Sequence, residues 1–157
     1  NMVHDSGDDF GRISAAILGN NFNSAHTENK GDNRSDDKGG EPEAIDVGII
    51  EDRTYVFIAQ ERSGDLFVYD VTNPFQAQFV SHYINRDFSA DFELDDDLAD
   101  PCDPAEGLDC TDVPLAGDLG PESIKFVPSA DSPNGNPLLI IGNEVSGSVT
   151  IYQVTEL

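Results

Sequence analysis

Four glutamates stand at matching points of an idiom that the chain uses twice. Glu43 opens the first copy, Pro42-Glu43-Ala44-Ile45, and Glu61 closes its apolar run in Gln60-Glu61-Arg62-Ser63-Gly64. Glu122 opens the second, Pro121-Glu122-Ser123-Ile124, and Glu144 follows in Asn143-Glu144-Val145-Ser146-Gly147. Each copy then ends on another apolar run, Leu66-Phe67-Val68-Tyr69-Asp70-Val71 and Val149-Thr150-Ile151-Tyr152-Gln153-Val154. A second antiparallel strand returns to the face where the first began, so all four carboxylates collect on one face, with Glu43 and Glu122 innermost. Carboxylates that converge repel one another, and their pKa values rise unless a cation intervenes. Calcium takes six to eight oxygens at flexible angles and suits such a ring; another divalent metal is the alternative. Two simpler roles stay open: the glutamates cap turns through backbone N–H groups, or pair with Arg62 and Lys125.

Other carboxylate clusters lie at His4, Asp5, Asp8 and Asp9 and in the loop Asp32, Arg34, Asp36, Asp37, Lys38. The first is a metal candidate beside a helix start, where ordinary capping also accounts for the carboxylates. In the second, Arg34 and Lys38 either clamp neighbouring carboxylates or receive an anion such as phosphate. Residues 87–118 carry twelve acidic side chains and no Lys or Arg, with Asp95, Asp96, Asp97, Asp100, Asp103, Glu106, Asp109 and Asp112 around Cys102 and Cys110. Asp95, Asp97, Asp100 and Asp103 are the candidate calcium ligands there, although the EF-hand glycine and final glutamate are missing. A solvated acidic segment is the other reading. The short spacing of Cys102 and Cys110 fits a local disulfide, which implies an oxidising compartment. Nucleophilic catalysis finds no support: His4, His26 and His82 are scattered and no G-x-S-x-G elbow is present.

The positioning elements follow from length and pattern. One domain's worth of chain, 157 residues, carries 31 acidic against 8 basic side chains, a formal net charge of -23. Nucleic acid and anionic lipid are therefore excluded as partners by repulsion. No apolar run approaches membrane-spanning length. The opening Asn1-Met2-Val3-His4-Asp5 lacks the parts of a secretion signal, as expected of a mature or cut product.

Ser6 to Leu18 is predicted as a helix, N-capped by Ser6 with Asp9 three residues on, presenting Phe10, Ile13 and Ile17 on one face and stopped by Gly19. Residues 20–40 read as a long polar loop. Strands are predicted at 43–50, 54–60, 65–71 and 77–84, then at 122–128, 137–143 and 148–154, with turn residues between them. The expected fold is all-β: antiparallel four-stranded meanders, each a blade of a β-propeller. Its parts are a helix and loop over 1–42, a blade over 43–86, an acidic disulfide-closed insert over 87–118 without a core of its own, and a last, incomplete blade over 119–157. Two blades cannot close a ring, so the remaining blades are expected from upstream sequence or another chain. A seven-stranded β-sandwich is the competing architecture.

Four stretches together resemble the C-terminal part of bacterial choice-of-anchor I proteins: Asp5-Ser6-Gly7-Asp8-Asp9-Phe10, Arg34 through Glu43, Gly120-Pro121-Glu122-Ser123-Ile124-Lys125-Phe126, and Ser146 through Tyr152. That family is similar to large atypical alkaline phosphatases and to mesenchyme-specific cell-surface glycoproteins. The resemblance implies a β-propeller that is secreted or attached to the cell surface. Gly40 stands where a proline is expected in relatives and Gly11 where a glutamate is expected, which weakens a metal site near the helix. The functional expectation is an extracellular, calcium-associated propeller segment with a structural, adhesive or scaffolding role, in a homo-oligomer or surface assembly. The enzyme alternative, a metal-dependent phosphomonoesterase of the alkaline-phosphatase type, is implied by resemblance alone, and no catalytic residue transfers with it.

Overall fold

A computed structural model describes residues 1–95, 97 and 101–155. Among these residues seven strands follow one α-helix: α1 (Asp9–Leu18), β1 (Pro42–Ile50), β2 (Arg53–Gln60), β3 (Leu66–Asp70), β4 (Gln78–Tyr83), β5 (Pro121–Val127), β6 (Leu138–Asn143) and β7 (Ser148–Gln153). They form two antiparallel meanders, β1-β2-β3-β4 and β5-β6-β7. Each predicted strand is present, with ends shifted by a residue or so, as fraying ends do.

The sheets pack face to face, β5 lying against β1 and β2. Period-two alternation delivers Ala44, Tyr55, Phe57, Ala59, Leu66 and Val68 of the first sheet to Phe126, Leu139 and Ile141 of the second. Phe126 stacks on Phe57 with ring centroids 5.6 Å apart. Gly48 makes room for that ring, since a Cβ there would lie 2.6 Å from it. Strand β3 is buried throughout because α1 covers its other face, with Phe10 edge-on to Phe67 at 4.7 Å.

Helix α1 is shorter than predicted. It starts at Asp9 with Asp8 at the N-cap and no side-chain cap, while the Ser6 carbonyl accepts from Asp9 N at 3.1 Å. Gly7, at φ +57°, turns the chain there, so Ser6 stays outside the helix. Ile17, expected on the buried face, is exposed, and Ser14 takes the inward place with Ile13. Ser14 Oγ donates to buried Asp65 at 3.3 Å, and Asp65 also holds His82. Gly19 ends the helix as expected, at φ +57°.

The buried apolar residues of the acidic insert belong to a cluster shared with Leu119 and Val145, which lie outside it. Ala90, Phe92, Ala116 and Leu119 are buried together, joined by Leu94, Val113 and Val145. The polar loop joins the insert through its backbone: Leu94 N donates to Thr27 O at 2.9 Å, and Glu28 bridges to Glu93. Arg86, buried, is the clasp. It donates to Ala25 O (2.6 Å), Glu28 O (2.7 Å), Arg62 O (3.0 Å) and Asn29 Oδ1 (2.9 Å). Asn29 in turn donates to Asp87 O and Ala90 O. One guanidinium thus satisfies carbonyls of two segments, at residues 25–28 and 62–63, and reaches the insert through Asn29. The Cys102–Cys110 disulfide forms as predicted, with Cα atoms 5.8 Å apart. Among the described residues no helix is long and apolar enough to cross a membrane.

Candidate functional site

The two copies of the idiom fold alike at their glutamates. Pro42 pairs with Gln60 and Ala44 with Ala59, so Glu43 is the extra residue of a bulge; Pro121 pairs with Asn143 and Ser123 with Gly142, so Glu122 is the extra residue of another. A bulge releases its side chain from the in-out alternation and aims it off the sheet. The turns beyond β2 and β6 match too. Glu61 N donates to Glu41 O at 2.9 Å, and Glu144 N donates to Gly120 O at 2.8 Å.

All four predicted glutamates line one cleft of about 740 Å³. Glu43 is hydrogen-bonded to Glu61, and Glu122 to Glu144. Burial, together with the Glu43 hydrogen bond and the charges of Glu41 and Glu43, pushes the Glu61 carboxyl up to about 7 against the pull of Arg62. The hydrogen bond to Glu144, then burial and the charges of Glu144 and Glu43, raises Glu122. Leu94, Pro101, Cys102 and Val113 of the insert form the opposite wall.

Two site residues were not foreseen. Glu41 comes within 4.8 Å of Glu43 and Glu61, the one such trio of candidate ligands among the described residues. Burial alone would raise its pKa, but hydrogen bonds from Lys38 (2.7 Å) and Arg62 (2.8 Å) outweigh it and hold the carboxyl low. Glu41 adopts φ +58°, and its counterpart in the second copy is Gly120 at φ +69°. A glutamate in a backbone conformation that its twin fills with glycine was the available signal.

The second is buried His26, carried in by the polar loop. Its Nε2 lies 2.5 Å from Arg62 Nη1 and its Nδ1 3.0 Å from Glu61 Oε1. Arginine only donates, so Nε2 accepts and Nδ1–H donates to Glu61. No periodicity in residues 20–40 marked this position.

Among the described residues the other candidates form no comparable cluster. Asp5 accepts from Gly7 N at 2.8 Å, Asp8 stands at the N-cap, and Asp9 is held by Arg12 and by Tyr69 OH. In the insert Asp95 accepts from Asp97 N and Asp103 from Ala105 N, each closing its own turn. Asp100 lies outside the described residues. Arg34 pairs with Asp37 at 2.5 Å and Lys38 with Glu41, which is the clamping role. Lys125 lies 3.7 Å from Asp46 instead of a cleft glutamate, whereas Arg62 does pair there, with Glu41 and Glu61. Of the four predicted glutamates, Glu61 and Glu144 also use their backbone N–H groups, which donate to Glu41 O and Gly120 O.

Residues 1–74 match the family model of the choice-of-anchor I domain. The chain is also similar to Gigasin-3a of Magallana gigas, 27% identical over 126 residues, which are 80% of this chain and 40% of that protein. The chain thus spans well under half the length of this curated relative. No solved structure matches it.

Proposed function

We propose that this chain is a calcium-binding structural segment of an extracellular β-propeller, its two meanders serving as consecutive blades and its glutamate cleft as the cation site. The observation that carries this reading is the convergence of Glu43 and Glu122, from equivalent bulges, with Glu41, Glu61 and Glu144 on one cleft. Five carboxylates line the cleft against two cationic side chains, Lys38 and Arg62, so full ionisation leaves an uncompensated negative charge. Protons shared between glutamates are the metal-free remedy, and a bound cation is the stronger one at neutral pH. The free donors are all oxygens, and His26 has both ring nitrogens engaged, which favours a hard cation over zinc.

Bound calcium would tie β1, β2, β5 and the turns beyond β2 and β6 to one point and so rigidify the join between the meanders. That role suits an adhesive or scaffolding protein. The disulfide supports an oxidising, extracellular setting, and the similarity to the choice-of-anchor I domain agrees with a surface-attached protein. The phosphomonoesterase alternative needs a cation to seat phosphate. Both cationic side chains lining the cleft, Lys38 and Arg62, are engaged by Glu41, so phosphate would depend on the bound metal, and metal-dependent turnover of a phosphomonoester would favour that alternative over the scaffold.

The test is calcium titration of chelator-treated protein, followed by calorimetry and thermal melting. Saturable binding that raises Tm, and that Glu43→Gln and Glu122→Gln each weaken, is the expected result. Absence of binding at millimolar calcium ends the proposal.

A further inference from the structure

The two sheets do not meet through equivalent faces. In the second sheet Ile124, Phe126, Leu139 and Ile141 pack toward the first. Their counterparts by the duplicated idiom, Ile45, Val47, Val56 and Ile58, lie on the face of the first sheet turned away from the second. Conversely, the receiving face of the first sheet carries Phe57, Leu66 and Val68. Their counterparts, Ile140, Val149 and Ile151, point outward from the second sheet. The contact is therefore head to tail, a heterologous interface of the kind that repeats until a ring closes or a stack runs on.

Each end of the pair is an unused half of an interface already formed inside the chain. Ile45, Val47 and Ile49 are 64%, 52% and 66% exposed, and Val149 and Ile151 are 68% and 59% exposed. Three β-branched residues in a row on an outer strand form a flat apolar ladder that soluble proteins cover. Helix α1 covers only the β3 side of this face. Between it and β1 runs an apolar groove of about 400 Å³, lined by Phe10, Ile45, Ile58, Tyr69, Val71 and Ala77 among others.

We infer that the Ile45–Val47–Ile49 face seats the Val149/Ile151-type face of another meander of the same repeat, supplied in cis by sequence flanking this segment. The contact between the two sheets here is its template. A second copy of this chain is the disfavoured occupant, because each copy brings a net charge of -23 that opposes association, whereas covalent linkage supplies a high local concentration. The inference rests on the reading of the meanders as consecutive repeat units and makes no use of the cation site.

The experiment compares the 157-residue chain with a polypeptide extended by its natural flanking sequence, both in chelator, using an apolar-surface dye, sedimentation and melting. The probe variant is Ile45→Asp with Val47→Asp. In the 157-residue chain the wild type binds dye, and the variant cuts that signal several-fold while leaving Tm nearly unchanged, since both side chains face solvent. In the extended polypeptide dye binding is lost and the variant lowers Tm by about 5 °C or more. Undiminished dye binding on extension overturns the inference, as does a variant without effect in the extended form. Reversible head-to-tail oligomers of the 157-residue chain, abolished by the variant, assign the face to a second copy and overturn it equally. Because chelator is present throughout, none of these failures bears on calcium binding.

Discussion

Glu43 and Glu122 occupy the same position in two different sheets: each is the unpaired extra residue where the first strand of a meander begins. Both side chains enter one cleft because β5 lies across β1. If the cleft holds calcium, loss of either should weaken the site. At calcium a hundredfold above Kd, binding contributes about 2.7 kcal/mol. Glu122→Gln is expected to weaken affinity roughly tenfold, about 1.4 kcal/mol. Isothermal titration and the calcium-induced rise in Tm measure this, and an unchanged affinity removes Glu122 from the site.

Glu41 separates binding from stability. Its φ of +58° disfavours any side chain, and glycine fills the matching place at position 120. Glu41→Gly should relieve about 1 kcal/mol of backbone strain while losing the pair with exposed Lys38 and the part-buried pair with Arg62. The expected outcome is a metal-free Tm equal to or above that of the wild type with clearly weaker calcium binding. A fall in both assigns Glu41 a structural role only.

The metal-free protein should lose stability as pH rises. Glu61 titrates near 7 in the folded state, against an ordinary glutamate when unfolded. The folded state therefore holds that proton more tightly, a contribution complete below about pH 4.5 and lost as pH passes about 7. Tm in chelator is expected to decline from about pH 5 to about pH 8, and Glu61→Gln should flatten the slope. Glu41 and Asp46, both held low, act oppositely and only at more acidic pH. A Tm that climbs across the neutral range contradicts the arrangement.

Gly48 controls the join between the sheets. A methyl group there would sit 2.6 Å from the Phe126 ring, which is itself stacked on Phe57. Gly48→Ala should cost about 1–3 kcal/mol through overpacking. Denaturant unfolding checks the magnitude, and a neutral effect means that the Phe126 ring yields at little cost.

Arg86 holds the insert and the polar loop against the cleft. Its bonds to Ala25 O and Arg62 O fix the backbone beside His26 and at Arg62. Arg86→Met leaves those carbonyls unpaired and should destabilise by about 3 kcal/mol or more. Protease protection of residues 87–118 should fall in parallel.

The residues that were legible in the sequence are those governed by local rules. Period-two alternation gave each strand to within about a residue, turn residues separated them, and the spacing of Cys102 and Cys110 foretold their disulfide. The duplicated idiom placed Glu43, Glu61, Glu122 and Glu144 together, because equal local sequence makes equal bulges and turns. Helix onset was misplaced, since Gly7 turns the chain and Asp9 is drawn to Arg12 and Tyr69 rather than back to Ser6. Long-range contact decided the remainder. His26 reaches Glu61 through a loop with no period, the acidic insert buries a few apolar residues in a cluster shared with Val145, and Arg86 is buried because the carbonyls of two distant segments, at residues 25–28 and 62–63, need one donor. Alternation and turn chemistry act over a few residues and are written in the chain itself. Which segments close over which is settled only when burial must satisfy every polar group at once.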